Sequence, residues 1–488
     1  MPLPSELPPL DVTAVRCLAI QHFSFTWCSR SEEFAIPLYL VNIFPGTLIP
    51  ASAYGIASLV TVLLLSPFVG DYLDRRSERR LQTLRWIILI QKSTSTISYT
   101  GFFLLQHLAG GEDVRLSVLA VLILVGCGNA LTNVAFTVAI ERDWISRVGA
   151  GDSARLTRLN VTIRRIDLLS KLAAPLFVSL LTTTLSVRTS AIVLLGVTAA
   201  SLPLELLWIG VVYRRFSRYL QPQMPHSSAH SVPRASLLAG LHGFRLHMKD
   251  FLRLPTLPTS IAIALLYANV LSFDGTFLAY LKQPHQSTLS ESSSTDGVIK
   301  IHPGPVPSLA LVSYTDPFIS GMRGLCVACG LLGTILMPRL EKKIGLVRTG
   351  SWSLAQQFFS LLPTLLCLWI GVGQTWNTAL LFAGMASSRI GLWSYDLAQI
   401  QLLQTTLYGH SHANFHFAAQ QSLISLFDIS HYVLTLVWSR PDQFSRPASI
   451  SLGMIAAAWA TYTFGYAQKQ RGHLLHLKGM AAFFKDSH

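Results

Sequence analysis

Apolar stretches of about 20 residues recur a dozen times along the chain, separated by short polar turns. A stretch of that length, wound at about 1.5 Å per residue, crosses about 30 Å of hydrocarbon. The first set runs near Ala19–Ile43, Ala51–Val69, Trp86–Leu105, Leu116–Ile140, Ile166–Leu185 and Ser190–Val212. The second runs near Leu257–Leu281, Pro317–Met337, Trp352–Val372, Thr378–Leu402, Phe417–Trp438 and Ala448–Tyr466. The pattern predicts an all-α membrane protein with twelve transmembrane helices in two six-helix lobes, residues 15–212 and 257–466, solvated by the bilayer. A Pro/Ser/His-rich tract lies in the connection 213–256, which reads as a cytosolic inter-lobe linker. Residues 283–307 read as a Ser-rich disordered loop on the outer side, and 1–14 and 467–488 as cytosolic tails.

Composition agrees: 13% of residues are charged, 51% are hydrophobic, and the mean hydropathy is +0.45, whereas soluble chains carry about a quarter charged residues. The net charge of +14 does not indicate nucleic-acid binding. Its basic residues, among them Arg75, Arg76, Arg147, Arg155, Arg214, Arg215, Lys342 and Lys343, sit in short loops on one side of the spans. By the positive-inside rule that side is cytosolic, with both termini there. The start of the chain has no basic region before its first apolar run, so no cleaved signal peptide is expected. Six cysteines lie mostly within spans, and the pair Cys326 and Cys329 has no βαβ context, so all read as packing residues.

A charge within a span costs about 2.5–3.5 kcal/mol on insertion scales and so marks function or structure. Span one carries Arg30, Glu32 and Glu33, which must face a cavity, an interface or water. Span three has Lys92 after Gln91, span six has Glu205, and span five has Asp167 and Lys171, four apart and expected to pair. Span seven has Asp274 before Gly275, a residue able to loosen the helix; span ten has Arg389 and Asp396. Span eleven has Asp428 one turn before His431, whose imidazole suits a proton or a transition metal, with an interhelical hydrogen bond as the plainer reading.

Two short acidic-basic turns repeat in the two halves: Gly70-Asp71-Tyr72-Leu73-Asp74-Arg75-Arg76 after span two and Arg339-Leu340-Glu341-Lys342-Lys343-Ile344-Gly345 after span eight. The first resembles the loop signature of the major facilitator superfamily, which implies two lobes rocking about a central cavity. A collinear set of runs is more discriminating. Thr26-Trp27-Cys28-Ser29-Arg30, Arg142-Asp143-Trp144, Asn160 to Asp167, Gly345 to Gly350, and Arg389 to Leu397 with Gln401 to Gln404 together resemble the ferroportin family, solute carrier family 40.

That resemblance implies export of ferrous iron or another divalent metal by alternating access, with proton antiport and one metal site per lobe. Family ligand positions fall here on Ser29 and Glu33 in the first lobe, and on Gly275 beside Asp274 and on His431 in the second. Ser29 and Glu33 differ from the family residues and Gly275 lacks the family thiolate; Glu33 keeps a hard oxygen and His431 keeps the imidazole. The family calcium site falls on Ser29, Gln91, Lys92, Thr198 and Glu205, where the Lys92 ammonium is expected to substitute for the cation. Asp71, Arg80, Asp143, Asn160, Arg164 and Arg389 match family positions that close the inner gate. Without a cysteine at Gly275, no hepcidin-type regulation is expected. The metal is cargo, no resident cofactor is expected, and the chain reads as a monomer in the lipid bilayer.

Asn160-Val161-Thr162 is a sequon, but on the cytosolic side it reads as structural. His410, His412 and His416 form a histidine-rich turn that suits either metal capture or solvation. His412 and His416 also fit one histidine box of a membrane di-iron enzyme, which needs several. The alternatives to metal export are transport of another solute such as an organic cation, a non-transporting receptor, or such an enzyme.

Overall fold

The computed structural model describes residues 11–44, 49–105, 112–220, 237–271, 285–286, 311–312, 316–370, 375–438 and 443–471. The fold is helical, apart from a two-residue antiparallel pairing of His285–Gln286 with Leu311–Val312. The first half comprises α1 (Val12–Ile43), α2 (Ile49–Arg75), α3 (Arg80–Leu105), α4 (Glu112–Phe136), α5 (Ser153–Thr184) and α6 (Val187–Arg215). After the linker helix α7 (Leu237–Arg253) follow α8 (Leu257–Tyr267), α9 (Asp316–Ile344), α10 (Leu346–Ile370), α11 (Thr375–Leu407), α12 (Ala413–Val437) and α13 (Ser445–Tyr462).

Polar side chains satisfy the free amides at the helix starts. Asp11 accepts from the Thr13 amide at 2.8 Å, Asp152 from Arg155 at 3.1 Å and Ser186 from Thr189 at 3.1 Å. Asp11 also lies 3.2 Å from Arg215, so the start of α1 and the end of α6 share one end of the bundle. That end also carries the arginine-rich turns and is called the basic end below. Among the described residues, five helices are apolar and long enough to cross a membrane by composition alone: α2, α4 with its extension to Val148, α5, α6 and the Gly321–Ile344 part of α9. Others, such as α1 and α11, turn charged and amide groups inward. Exposed Leu64, Leu124, Leu207, Phe359 and Trp369 give the bundle an apolar outer face.

Helical regularity is interrupted in several places. The stretch Thr137–Trp144 is a π-helix continuing α4, and Thr463–Ala467 is another continuing α13; such local underwinding often marks functional sites. The first is followed by one α-helical turn, Ile145–Val148. The seventh apolar stretch does not continue as one helix from Leu257 to Leu281: α8 stops at Tyr267, and Ala268 to Leu271 are non-helical. Its freed groups are paired locally, since Val270 N donates to Ser451 Oγ at 3.0 Å, Leu271 N to Asn269 Oδ1 at 2.9 Å, and Arg389 Nη2 to Leu271 O at 2.7 Å. Non-helical backbone at membrane depth is tolerated where protein groups satisfy it in this way.

Each half has its own apolar core, with Phe25, Leu84, Ile88, Phe136 and Ile209 in the first and Ile263, Leu361, Met385, Tyr395 and Tyr462 in the second. Lipid tails are as apolar as these side chains, so close packing and polar contacts hold the helices together. Across the halves, α2 packs on α12, and α5 packs on α9 and α11. At Gly70 a Cβ would lie 2.4 Å from Asn414 O and 2.7 Å from Phe415 Cα, backbone atoms that cannot swing away. Gly70→Val is therefore expected to hold α2 and α12 apart and raise amide exchange at Asn414 and Phe415, read by hydrogen–deuterium exchange; unchanged protection there would refute the tight crossing.

Candidate functional site

Three neighbouring cavities lie inside the bundle, the first within the first half and the other two between the halves. The first, of about 250 Å³, is lined by His22, Thr26, Ser29, Arg30, Glu32, Glu33, Tyr54, Asn129, Asn133, Glu141 and Asp167. The second, of about 220 Å³, shares Arg30, Asn133, Glu141 and Asp167 with it and adds Arg142, Arg164, Lys171, Tyr267, Asp396, Gln399 and Gln420. The third, of about 280 Å³, shares Lys171, Tyr267 and Asp396 with the second and ends on Asn269, Arg389, Asp428 and His431. Thus Ser29 and Glu33 line the first cavity and His431 the third, and the second cavity shares charged lining residues with both. Asp274 and Gly275 lie outside the described residues.

The charges along these cavities form a chain. Glu33 Oε2 lies 2.5 Å from Arg30 Nη1, and Arg30 Nη2 lies 2.7 Å from Asp167 Oδ1. Asp167 also meets Arg164 at 3.2 Å and Lys171 at 3.4 Å, so the expected Asp167–Lys171 pair is one contact of three. Arg164 Nη2 then reaches Asp396 of α11 at 2.6 Å, carrying the chain into the other half. Arg164 and Lys171 both sit over the Trp393 ring, 5.2 Å and 5.1 Å from its centroid. Within the chain, three carboxylates (Glu33, Asp167, Asp396) balance three cations (Arg30, Arg164, Lys171).

At the far end, Asp428 Oδ1 lies 3.2 Å from His431 Nδ1, and His431 is 7% exposed. A carboxylate and an imidazole one turn apart offer a divalent metal one hard and one borderline donor. Among the described residues no three His, Cys, Asp or Glu side chains surround a common centre. In the first half, Glu32 is buried and accepts from Ser95 Oγ, while its Oε1 has no hydrogen-bond partner.

Behind the first cavity, Lys92 Nζ and Glu205 Oε1 lie 2.9 Å apart with side chains 1% and 2% exposed, and Ser24 Oγ donates to Glu205 at 2.6 Å. Gln91 and Thr198 are also buried. The ammonium is thus placed to balance Glu205 by itself.

The six expected gate positions separate into groups. Asn160 and Arg164 cross between the halves: Asn160 Nδ2 donates to Gln404 Oε1 at 2.7 Å, and Gln404 Nε2 donates to Glu141 O at 2.7 Å. Arg80 and Asp143 pair at 2.9 Å within the first half, with Arg147 also on Asp143 at 2.7 Å. Arg389 stays within the second half on Leu271 O. Asp71 turns back onto Arg75 of its own helix at 2.6 Å. Asp74, three residues on, crosses instead: its Oδ1 accepts from Asn414 N at 3.1 Å and its Oδ2 from Phe415 N at 2.9 Å. These are unpaired donors at the start of α12, where a carboxylate also meets the positive end of the helix dipole.

Glu341 at the end of α9 makes the matching contact on α5. Ser153 Oγ donates to its Oε1 at 2.7 Å, Thr157 Oγ1 to its Oε2 at 2.8 Å, and Gln401 Nε2 to its Oε1 at 2.8 Å. The two acidic-basic turns of the sequence repeat are therefore two inter-lobe latches, Asp74 on α12 and Glu341 on α5. Outside the spans, burial holds the His412 imidazole below the ordinary histidine value, helped by nearby His247 and His410.

The sequence matches the family described as Ferroportin1 (FPN1) over residues 13–294 and 308–455. Solute carrier family 40 member 1 of Oryza sativa subsp. japonica is 30% identical over 490 residues, covering 96% of this chain and 93% of the relative. A bacterial homologue of iron transporter ferroportin, outward-facing with soaked iron, superposes with a TM-score of 0.74 at 19% identity, covering 93% of this chain and 99% of that one. FucP, a major facilitator superfamily transporter, superposes at 0.58 and 11% identity over 93% of this chain and 99% of its own.

Proposed function

Starting from the fact that this chain belongs to the ferroportin family, we propose that it exports ferrous iron or a closely similar divalent metal by alternating access between its two lobes. As a member of that family it is an integral multi-pass metal-ion transporter and not an enzyme. The observation that carries the reading is the series of three neighbouring cavities from Glu33 to His431 that share charged lining residues, with carboxylates at one end and a carboxylate–imidazole pair at the other.

Geometry suggests how a hydrated dication would be taken up. Glu33 is held by Arg30, and Arg30 already has a second carboxylate in Asp167. A dication arriving at the exposed Glu33 can displace the guanidinium, which keeps its contact with Asp167; the two charges the ion adds are offset by the water it retains and by protons leaving the site. Ser29 offers a hydroxyl beside this point. At the far end Asp428 and His431 receive the metal, with Asp274 as a further ligand; without the thiolate at Gly275 this end holds a soft ion more weakly. Ligands shed protons as metal binds, which supplies a route to proton antiport.

The basic end faces the cytosol in this reading, and the latches at Asp74, Glu341, Asn160 and Arg164 close it while the cavity opens outward. The twelve-span topology, the linker 213–256 and both cytosolic tails belong to the same proposal, as do the absence of hepcidin-type regulation and a monomeric state. The test is flux into sealed proteoliposomes carrying a proton-sensitive dye. Uptake of ferrous iron and cobalt with a counter-movement of protons supports the reading; uptake of an organic cation alone supports the other cargo, and no flux supports a receptor.

In the first lobe, Lys92 stands in for a bound cation. Lys92→Asn leaves Glu205 buried without its partner, a loss of about 3–5 kcal/mol, and is expected to lower the melting temperature and make it responsive to calcium. The native chain is expected to ignore calcium in the same thermal scan, and calcium-stimulated transport by the native chain would contradict the proposal.

A further inference from the structure

Four histidines at the basic end are not used by the transport path. Three come from the turn between α11 and α12, His410, His412 and His416, and the fourth, His247, from the linker helix α7. The His247 and His412 ring centroids are 3.8 Å apart, and those of His410 and His416 are 4.9 Å apart. His416 is fully buried and both its ring nitrogens lack a hydrogen-bond partner, as does the buried Nδ1 of His412. The His410 ring, on an exposed turn after Gly409, accepts one long 3.4 Å contact from the His412 amide at Nδ1.

Buried polar atoms without partners call for a missing partner; one nitrogen of neutral His416 carries a hydrogen, so the cluster offers an electrophile one lone pair on His416 and, in its Nε2–H tautomer, one on His412 Nδ1. A polar cradle for an anion would carry cations or amide groups; imidazoles whose nitrogen lone pairs lack donors suit a borderline divalent metal instead. With metal–nitrogen distances of about 2.0–2.1 Å in a tetrahedral site, two bound imidazole centroids sit about 5 Å apart, the spacing His410 and His416 already have. Among the described residues no three donors yet converge on one point, so the site closes by ring rotation around the ion.

We propose that His247, His410, His412 and His416 form a second metal site, for a zinc- or iron-like divalent ion, separate from the path through His431. Its position gives it a consequence. α7 packs Phe244 on Phe68 of α2 at 4.8 Å and on Phe415 of α12 at 5.7 Å, so it touches both sides of the Asp74 latch. An ion joining His247 to the turn that begins α12 ties α7 to that latch and favours the closed basic end, so metal at this face would slow reopening.

The test is zinc binding to the tag-free full-length protein in nanodiscs, by equilibrium dialysis with zinc alone, comparing the native chain, His247→Ala with His412→Ala, the milder His247→Gln with His412→Asn, and His431→Ala. Both cluster variants are expected to lose one bound zinc that His431→Ala keeps, and to lose zinc-induced exchange protection at residues 413–416. The measurement does not require transport, so a chain that moves no metal but binds this zinc fails only the transport reading. Equal zinc binding by the native chain and the milder variant, with both folded by thermal scan, would overturn the site.

Discussion

Asp74→Asn combined with Glu341→Gln is expected to open the basic end of the bundle. Each carboxylate accepts hydrogen bonds across the lobe interface, Asp74 from the Asn414 and Phe415 amides and Glu341 from Ser153 and Thr157, with Gln401 of its own half also donating to Glu341. Both side chains are half-buried, so the lower end of the range for charged hydrogen bonds applies, about 1.5 kcal/mol for each latch. That is roughly ten-fold in the open-to-closed ratio per latch, and roughly 100-fold for two independent ones. Hydrogen–deuterium exchange reads it directly: protection should fall at 413–416 in the Asp74 variant, at 153–157 in the Glu341 variant, and at both in the double variant. Asp71→Asn is the control, since Asp71 forms its ion pair with Arg75 on its own helix, and it should leave both segments protected. A drop in the Asp71 variant equal to that of Asp74 would remove the latch assignment.

His431→Ala is expected to produce the largest loss in metal affinity. The imidazole closes the third cavity and is oriented by Asp428 at 3.2 Å. Losing even a group that supports a metal ligand typically costs 10- to 100-fold in affinity, so loss of the ligand itself should cost roughly 100-fold or more. Cobalt titration of the protein in detergent reports it, with Asp428→Asn expected to give a smaller loss because the imidazole remains. Equal cobalt affinity in His431→Ala and the native chain would place the carboxy-terminal ligand elsewhere.

Much of the architecture is legible in the sequence because lipid imposes a simple rule: a span must be apolar for about 20 residues and its charges must turn inward. The inward placement of Arg30, Glu32, Glu33, Asp167 and His431 follows from it. The repeated acidic-basic turn identifies where the halves meet, yet choosing Asp74 over Asp71 needs the rotation of the helix end against α12, which a turn signature does not specify. The break after Tyr267 is hidden for a related reason: Leu257 to Leu281 is long and largely apolar despite Asn269 and Asp274, and its irregular stretch is stabilised by Ser451 and Arg389, more than 100 residues away. The same distance separates His247 from His412, so their contact depends on α7 folding back onto α12. From the sequence Lys92 can pair with Glu205 or Glu33, and that choice comes only from the family resemblance, because nothing local links α3 to α6; the structure pairs it with Glu205.

The central claim is that one metal path runs through both lobes, from Glu33 to His431. Cobalt uptake by sealed proteoliposomes, measured side by side for the native chain, Glu33→Gln, His431→Ala and the double variant, tests it most directly. The account predicts strong uptake by the native chain and at least ten-fold slower uptake in each single variant, with little further loss in the double, as expected for two stations on one route. Native-like uptake by the double variant would contradict it.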